Sequence, residues 1–167
     1  MPTICRLLQL APDRAMLLLS KPDDLQQAIA SSKTYGDVYR YWDAIGYLLA
    51  RHRPGTLAAR WLALGAAVSA ATGDIPAARV LLPEEVAPLA AELGAIDPDE
   101  LAPHYDAAEL DGAGVYPRTW VDWEETFDPL GQVLEHYSFL QDSTKGCAES
   151  GNALLLYFEF LDDGSDS

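Results

Sequence analysis

Residues 153–161, with the sequence Ala-Leu-Leu-Leu-Tyr-Phe-Glu-Phe-Leu, form an almost continuously apolar and aromatic run. Turn-forming residues bound the run on both sides, with Gly151-Asn152 before it and Asp162-Asp163-Gly164 after it. A short run of this composition, closed by turn signals, is typical of a buried strand. The segment therefore predicts a central strand of a sheet.

A second short apolar run, Thr3–Leu10, stops at Ala11-Pro12. Proline fixes φ and lacks a backbone donor, so it favours the first turn of a helix that follows a strand. Both apolar runs need burial and partners for their backbone groups. We therefore expect residues 3–9 and 153–160 to lie in the same sheet.

The chain between the two predicted strands is mainly helical in its hydrophobic pattern, without an interior linker or repeat. A chain of 167 residues can form one domain, and folding would bury roughly 70% of its unfolded surface. We predict a single compact α+β domain over residues 1–162, with a small sheet that includes both terminal strands and about six to eight covering helices. Residues 163–167 are predicted to form a frayed acidic tail.

One core helix is predicted from apolar residues that recur every three or four positions. Asp37 is its candidate N-cap, and the buried face would consist of Val38, Tyr41, Trp42, Ile45, Leu48 and Leu49. Residues 31–36 are then expected to form a loop. The longest apolar stretch, residues 57–71, is predicted to be an alanine-rich buried helix.

Three further helix starts carry acidic caps. Asp97 with Glu100, and Asp106 with Glu109, have the spacing of capping boxes. Asp128-Pro129 is expected to begin the last helix. Capping therefore explains many carboxylates that could otherwise be interpreted as an acid–base pair.

The chain carries 26 acidic and 11 basic residues, a formal net charge of -15. This field repels phosphate backbones, and no basic stripe offsets it, so nucleic-acid binding is not expected. The same field would attract a basic protein and speed its encounter. Acidity also serves plain solubility, so the charge alone leaves both interpretations open.

The cysteines and histidines lack the spacing of a metal site. Cys5 and Cys147 are the only cysteines, and the three histidines, His52, His104 and His136, are widely separated. We predict buried free thiols and neither a metal ion nor a cofactor. The first residues do not resemble a signal peptide, and no apolar run reaches the ~20 residues of a membrane span. These features predict a cytoplasmic protein with no membrane association.

The sequence contains no catalytic signature. It has no GxSxG elbow, and no serine has an identifiable base beside it. Residues 146–151 have the glycine spacing of a phosphate-binding loop but continue with Asn-Ala, and they lie between a predicted helix and a strand in the wrong order. We interpret this segment as a turn and do not predict catalysis.

Several segments resemble the YfbM-like family of bacterial proteins: RYWDAIGYLL (residues 40–49), PAARVLLPEEV (76–86), YD (105–106), GVYPRTW (114–120) and GNALLLY (151–157). The opening strand, followed by Ala-Pro-Asp-Arg, is also similar. The resemblance covers nearly the whole chain. It implies a compact α+β fold in which the terminal strands join a small sheet covered by helices, and it implies no particular activity, because the family is functionally uncharacterised.

The chain departs from the family pattern in the first of these segments. Relatives often have histidines beside the tryptophan, whereas this chain has Asp43 and Gly46. Any activity that depends on those imidazoles is not expected here.

A candidate ligand pocket combines aromatic and polar residues of the family-like segments. Polar groups that converge among aromatic walls are typical of small-ligand sites, although aromatic residues at helical spacing usually belong to the core. The candidate pocket residues are Trp42, Asp43, Tyr47, Arg79, Tyr105, Asp106, Tyr116 and Trp120.

A candidate protein-binding segment lies just before the last helix, where Asp122, Glu124 and Glu125, which have no local capping role, cluster beside tryptophans. Its residues are Trp120, Asp122, Trp123, Glu124, Glu125 and Asp128. Our leading hypothesis is a non-catalytic module that binds a basic protein, and a toxin-neutralising immunity protein is one form of it by analogy alone. The alternative is a small-ligand-binding protein or small enzyme that uses the pocket with Asp43, Arg79 and Asp106.

Overall fold

The structure, a computed structural model, describes residues 2–73 and 75–161. In these ranges five strands form one antiparallel sheet: β1 Thr3–Leu10, β2 Lys33–Tyr39, β3 Ala66–Ala67, β4 Arg79–Leu81 and β5 Ala153–Phe160. The α-helices are α1 Pro12–Ser20, α2 Leu25–Ser31, α3 Trp42–His52, α4 Pro83–Gly94, α5 Ala107–Gly112, α6 Trp120–Glu124 and α7 Pro129–Glu149. Short 3₁₀ helices span Pro22–Asp24, Ala58–Ala63, Pro98–Glu100 and Ala102–His104. The predicted α+β class is confirmed, and the predicted tail over residues 163–167 lies outside the described residues.

Strands β1 and β5 form the centre of the sheet. They pair along their whole lengths, from Thr3 opposite Phe160 to Leu10 opposite Ala153. The strand order is β2-β1-β5-β4-β3, so β5 has a neighbour on each side. Both predictions for the terminal strands, a shared sheet and a central position for the last one, are confirmed.

Helices cover both faces of the sheet. Leu154 and Leu156 of β5 belong to a core that includes α3, α4 and α7. Ala153 and Leu155 belong to a second core with α1 and α2. Successive side chains of a strand point to opposite faces, so a strand buried on both faces is apolar at nearly every position, as β5 is.

The predicted loop over residues 31–36 is wrong, because this segment contains the end of α2 and the start of β2. Strand β2 pairs with β1 in an irregular register. Asp37 lies in this strand and accepts the backbone N–H of Tyr39 at 3.0 Å, and α3 begins only at Trp42. The outer edge of β1 needs hydrogen-bond partners, and this long-range pairing overrides the local helical pattern.

The predicted long helix over residues 57–71 is also wrong. Only Ala58–Ala63 is helical, as a 3₁₀ helix interrupted at Arg60 (φ -109°, ψ 18°). Gly65, with φ +72°, then turns the chain toward β3. A Cβ atom at Gly65 would lie 2.2 Å from the carbonyl oxygen of Val80, so the close approach of this segment to β4 requires glycine.

The predicted acidic caps at Asp97, Asp106 and Asp128 are confirmed, but Asp106 and Glu109 do not form the reciprocal capping box that their spacing predicts. Asp97 and Glu100 form a reciprocal capping box. Asp106 accepts the backbone N–H three residues further on at 2.9 Å, and Asp128 does the same at 3.0 Å. The last helix therefore begins at Pro129, as the sequence predicts.

Candidate functional site

The rings of Trp42 and Tyr116 hold the first residue of β1. They stack with centroids 5.2 Å apart and an interplanar angle of 19°. The indole N–H of Trp42 donates to the carbonyl of Thr3 at 2.9 Å, and the hydroxyl of Tyr116 accepts the Thr3 backbone N–H at 2.6 Å. Both side chains are buried, with exposures of 6% and 8%. Their polar groups are therefore used inside the fold.

Asp43 connects α3 to the loop that follows α5. Its half-buried carboxylate accepts the backbone N–H of Tyr116 at 2.8 Å. Burial raises the pKa of Asp43, and this effect exceeds the lowering by that hydrogen bond and by the positive charge of Arg118. The carboxylate thus has a structural partner and a pKa above its ordinary range.

Replacing Asp43 with Asn is expected to change how stability depends on pH. A raised folded pKa means that the folded state binds the proton more tightly than the unfolded chain. The stability contributed by Asp43 is therefore highest below its ordinary pKa of 3.8 and falls as the pH rises through the folded pKa. The Asn variant keeps an oxygen acceptor for Tyr116 but does not titrate.

Urea unfolding of both proteins at pH values from roughly 3 to 7 measures this effect. We expect the free energy of unfolding of the wild type, relative to Asp43→Asn, to decrease across that window. A difference that is constant with pH, or that increases, would show that burial does not govern this carboxylate.

Tyr47 and Asp106 both serve the attachment of α5. The hydroxyl of Tyr47 donates to the carboxylate of Glu109 at 2.5 Å, and Arg51 pairs with the same oxygen at 3.0 Å. The hydrogen bond to Glu109 is the main cause that raises the pKa of Tyr47. Asp106 caps α5. Each of these candidate pocket residues has an internal partner.

Arg79 lies apart from the other candidate pocket residues. It donates to the backbone carbonyls of residues 64–65 at 2.7 and 2.9 Å. In the sheet it is opposite Leu156, whereas Thr3, which Trp42 and Tyr116 hold, is opposite Phe160. Four residues along a strand span roughly 13 Å. The structure therefore does not bring Arg79 to the Trp42–Tyr116 stack, and Arg79 instead fixes the turn before β3.

Trp120, a candidate for both the pocket and the protein-binding segment, belongs to the core. Its side chain is 0% exposed, and its indole N–H donates to the carbonyl of Val115 at 3.1 Å. Its backbone N–H donates to Asp111 at 2.9 Å. The ring meets Tyr105 edge to face, with centroids 6.3 Å apart. Trp120 can support a binding surface from below but cannot contact a partner.

The other residues of the candidate protein-binding segment do form a surface. All four of its carboxylates are exposed, and two half-buried aromatic rings lie among them. None of the four pairs with a cation whose side chain lies in residues 2–32, 36–73 or 75–161. We call this the acidic-aromatic surface and define it as Asp122, Trp123, Glu124, Glu125, Phe127 and Asp128.

A cluster of rings supports the acidic-aromatic surface. Trp123 lies 5.1 Å from Trp120, 6.0 Å from Tyr41 and 5.2 Å from Phe127, measured between centroids. The guanidinium of Arg40 covers its ring at 4.3 Å. Sequence reasoning missed Phe127 and Arg40. Phe127 follows Trp123 by four residues, a spacing that brings two side chains together on a helical turn, so the sequence could have indicated it. A backbone hydrogen bond of 2.9 Å joins the two residues. No local signal indicates Arg40.

A cleft of about 350 Å³ borders this surface. It is lined by Tyr105, Glu124, Phe127, Asp128, Pro129 and Leu130. Three other clefts in the described residues are lined by none of the candidate pocket or surface residues. Of the predicted pocket residues, therefore, Tyr105 alone lines any of these four clefts.

Comparison with known proteins places the chain in a family. The family described as a domain of unknown function, DUF1877, matches residues 1–157. The chain belongs to the DUF1877 family. The crystal structure of YfbM, a protein of unknown function from Escherichia coli, is similar, with a TM-score of 0.68 and 17% sequence identity over 93% of this chain and 99% of that chain. The predicted resemblance to the YfbM-like family is confirmed, and no curated protein matches.

The fold of this DUF1877 member brings together two histidines that are distant in sequence. Nδ1 of His52 lies 3.1 Å from Nε2 of His104, and Nε2 of His52 lies 3.4 Å from the carboxylate of Glu100. Sequence reasoning missed this pair, because His52 ends α3 and His104 lies in a 3₁₀ helix. In residues 2–73 and 75–161 no group of three or more His, Cys, Asp or Glu is arranged to hold a metal ion.

Both cysteines of this DUF1877 member are free thiols. Cys5 and Cys147 are buried and unpaired, as predicted. Burial raises the pKa of Cys147 to about 11 and that of Cys5 well above its ordinary value, so both thiols stay protonated at neutral pH.

None of the helices in the described ranges has the length and apolar character needed to cross a bilayer.

Proposed function

We propose that this DUF1877 protein is a non-catalytic binding module that engages a basic protein through the acidic-aromatic surface. The observation that carries the proposal is the set of four exposed carboxylates that have no cation partner within the described residues. They stand on a packed aromatic cluster, so the surface is held in place before any partner arrives. Such preorganisation lowers the cost of binding.

The two parts of the surface would contribute in different ways. A net charge of -15 attracts a basic partner over a long range and steers its approach. Aromatic side chains that lose water in the contact supply most of the short-range energy in typical interfaces. Val121, which is 44% exposed next to these carboxylates in the chain, adds apolar area. A toxin-neutralising immunity protein is one biological form that such a module could take.

The alternative site, a ligand pocket around the candidate residues, has less support. Hydrogen bonds join the side chains of Trp42 and Tyr116 to Thr3 of β1. Another joins the backbone N–H of Tyr116 to the carboxylate of Asp43. Arg79 serves the turn at residues 64–65. A ligand would have to displace these internal contacts before it could use the same polar groups.

Capture of partners from the source cell's lysate with charge-matched variants tests the proposed function. The test variant combines Asp122→Asn, Glu124→Gln and Glu125→Gln. The control removes three exposed carboxylates from other elements, by Asp13→Asn, Asp23→Asn and Glu84→Gln. Both variants lose the same charge, so only the position of the charge differs.

We expect the wild type and the control to capture the same basic protein at low salt, and the test variant to recover at least about tenfold less of it, as expected for electrostatically steered binding. Thermal melts of the three proteins check that each is folded. Capture of an acidic partner, or equal recovery by all three proteins, would remove this surface from consideration.

A further inference from the structure

The cleft beside the acidic-aromatic surface has an apolar wall and an acidic rim. Phe127, Pro129 and Leu130 supply the wall, and Tyr105, Glu124 and Asp128 supply the polar groups. Its volume of about 350 Å³ is at the lower end of the roughly 300–1,000 Å³ that ligand sites occupy. This volume is sufficient for one long side chain.

Each of the two carboxylates at the rim has one oxygen atom available to a ligand. Glu124 accepts the hydroxyl of Tyr105 with Oε1 at 3.2 Å. Asp128 uses Oδ1 for the backbone N–H of Gly131 at 3.0 Å. The second oxygen of each carboxylate has no partner among the described residues. Burial and the negative charges of Glu124 and Asp128 raise the pKa of Tyr105, which is consistent with a site that favours a cation.

We infer that an arginine side chain of the basic partner occupies this cleft. Its methylene groups would lie against Phe127, Pro129 and Leu130, and its guanidinium would reach Glu124 and Asp128. This inference rests on the proposed function and specifies the group that the surface recognises. A long cationic side chain that buries its stem and keeps its head at a polar rim matches the amphipathic lining of the cleft.

Arginine suits this lining better than lysine. Its guanidinium is planar, is weakly hydrated, stacks on aromatic rings and presents a fork of donors to carboxylates. The same aromatic cluster already holds one guanidinium, that of Arg40, at 4.3 Å from the ring centre of Trp123. A lysine ammonium would lose more hydration and could not stack in this way.

Three end-blocked tripeptides, Gly-Arg-Gly, Gly-Lys-Gly and Gly-citrulline-Gly, provide the test in titrations followed by NMR. Citrulline has nearly the shape of arginine without its charge. We expect the arginine peptide to shift the backbone amides of residues 105, 124, 127, 128, 130 and 131, and to bind about tenfold more tightly than the citrulline peptide, since charge-assisted hydrogen bonds contribute most. Equal binding of arginine and citrulline, or of arginine and lysine, would overturn the inference.

Conservative variants locate the site. Glu124→Gln keeps an acceptor for Tyr105, and Asp128→Asn keeps a good N-cap for α7, so both variants should fold. We expect the double variant to bind the arginine peptide about tenfold more weakly, and the charge-matched control Asp23→Asn, Glu84→Gln, whose two exposed residues lie outside the acidic-aromatic surface, to bind it as the wild type does. An equal loss in this control would show diffuse attraction and overturn the inference.

The peptide titration and the lysate capture separate the two proposals. If capture of a basic protein depends on the acidic-aromatic surface but the arginine peptide does not bind in the cleft, the arginine site is wrong and the protein-binding function stands. If the arginine peptide binds in the cleft while no basic protein is captured, the cleft assignment stands and the proposed function fails.

Discussion

Replacing Trp42 with Ala is expected to lower the free energy of unfolding by about 3–5 kcal/mol. The side chain is 6% exposed, stacks on Tyr116 and meets Phe158 edge to face with centroids 5.3 Å apart. Truncation would leave a cavity at the start of the core helix α3 and an unpaired carbonyl at Thr3. Urea titration followed by circular dichroism measures the loss.

Trp42→Phe separates packing from hydrogen bonding. Phenylalanine keeps an aromatic ring against Tyr116 but cannot donate to Thr3, so we expect a loss of about 1–3 kcal/mol, mainly from the unsatisfied carbonyl. A loss below about 1 kcal/mol in the Ala variant would place Trp42 outside the core and would strengthen the ligand-pocket alternative.

Gly65→Ala should have the second largest effect on stability, a loss of about 2–5 kcal/mol. Its φ of +72° disfavours any side chain, and a Cβ would lie 2.2 Å from the backbone oxygen of Val80. The obstacle is backbone in the sheet, which cannot rotate away as a side chain could. The segment would have to separate from β4.

Gly55→Ala is the matched control for this substitution. Its φ of +81° imposes a similar conformational cost, but no atom beyond Gly55 and its two chain neighbours lies within 4 Å of the added Cβ. We expect a loss of only about 1–2 kcal/mol in the same denaturant titration. Equal losses in the two variants would mean that the contact with Val80 adds nothing.

Short-range signals explain which elements could be predicted from the sequence. The apolar run in β5, the proline that begins α1 and the acidic caps at Asp97 and Asp128 all act within a few residues, and each matches the structure. Strand β2 and the turn at Gly65 could not be predicted in this way. Their conformations are set by pairing with β1 and by the approach to β4, which are distant in the chain.

In the candidate site too, local signals predict some features and long-range packing determines the others. The absence of a local capping role for Asp122, Glu124 and Glu125 predicts free carboxylates, and the structure leaves all three exposed. The burial of Trp120 and the position of Arg79 depend on which elements meet in the fold. The family-like segments contain both aromatic and charged residues and therefore predicted a pocket. In the folded protein these side chains instead form hydrogen bonds that join β1, α3 and α5.

The association rate constant of the captured basic partner, measured at low and at high salt, tests the acidic-aromatic surface most directly. Relative to the charge-matched control, the Asp122→Asn, Glu124→Gln, Glu125→Gln variant should associate at least about tenfold more slowly at low salt. That defect should nearly vanish at 1 M salt, where the Debye length falls to about 3 Å. Equal association rates for the two variants at low salt would contradict a binding role for this surface.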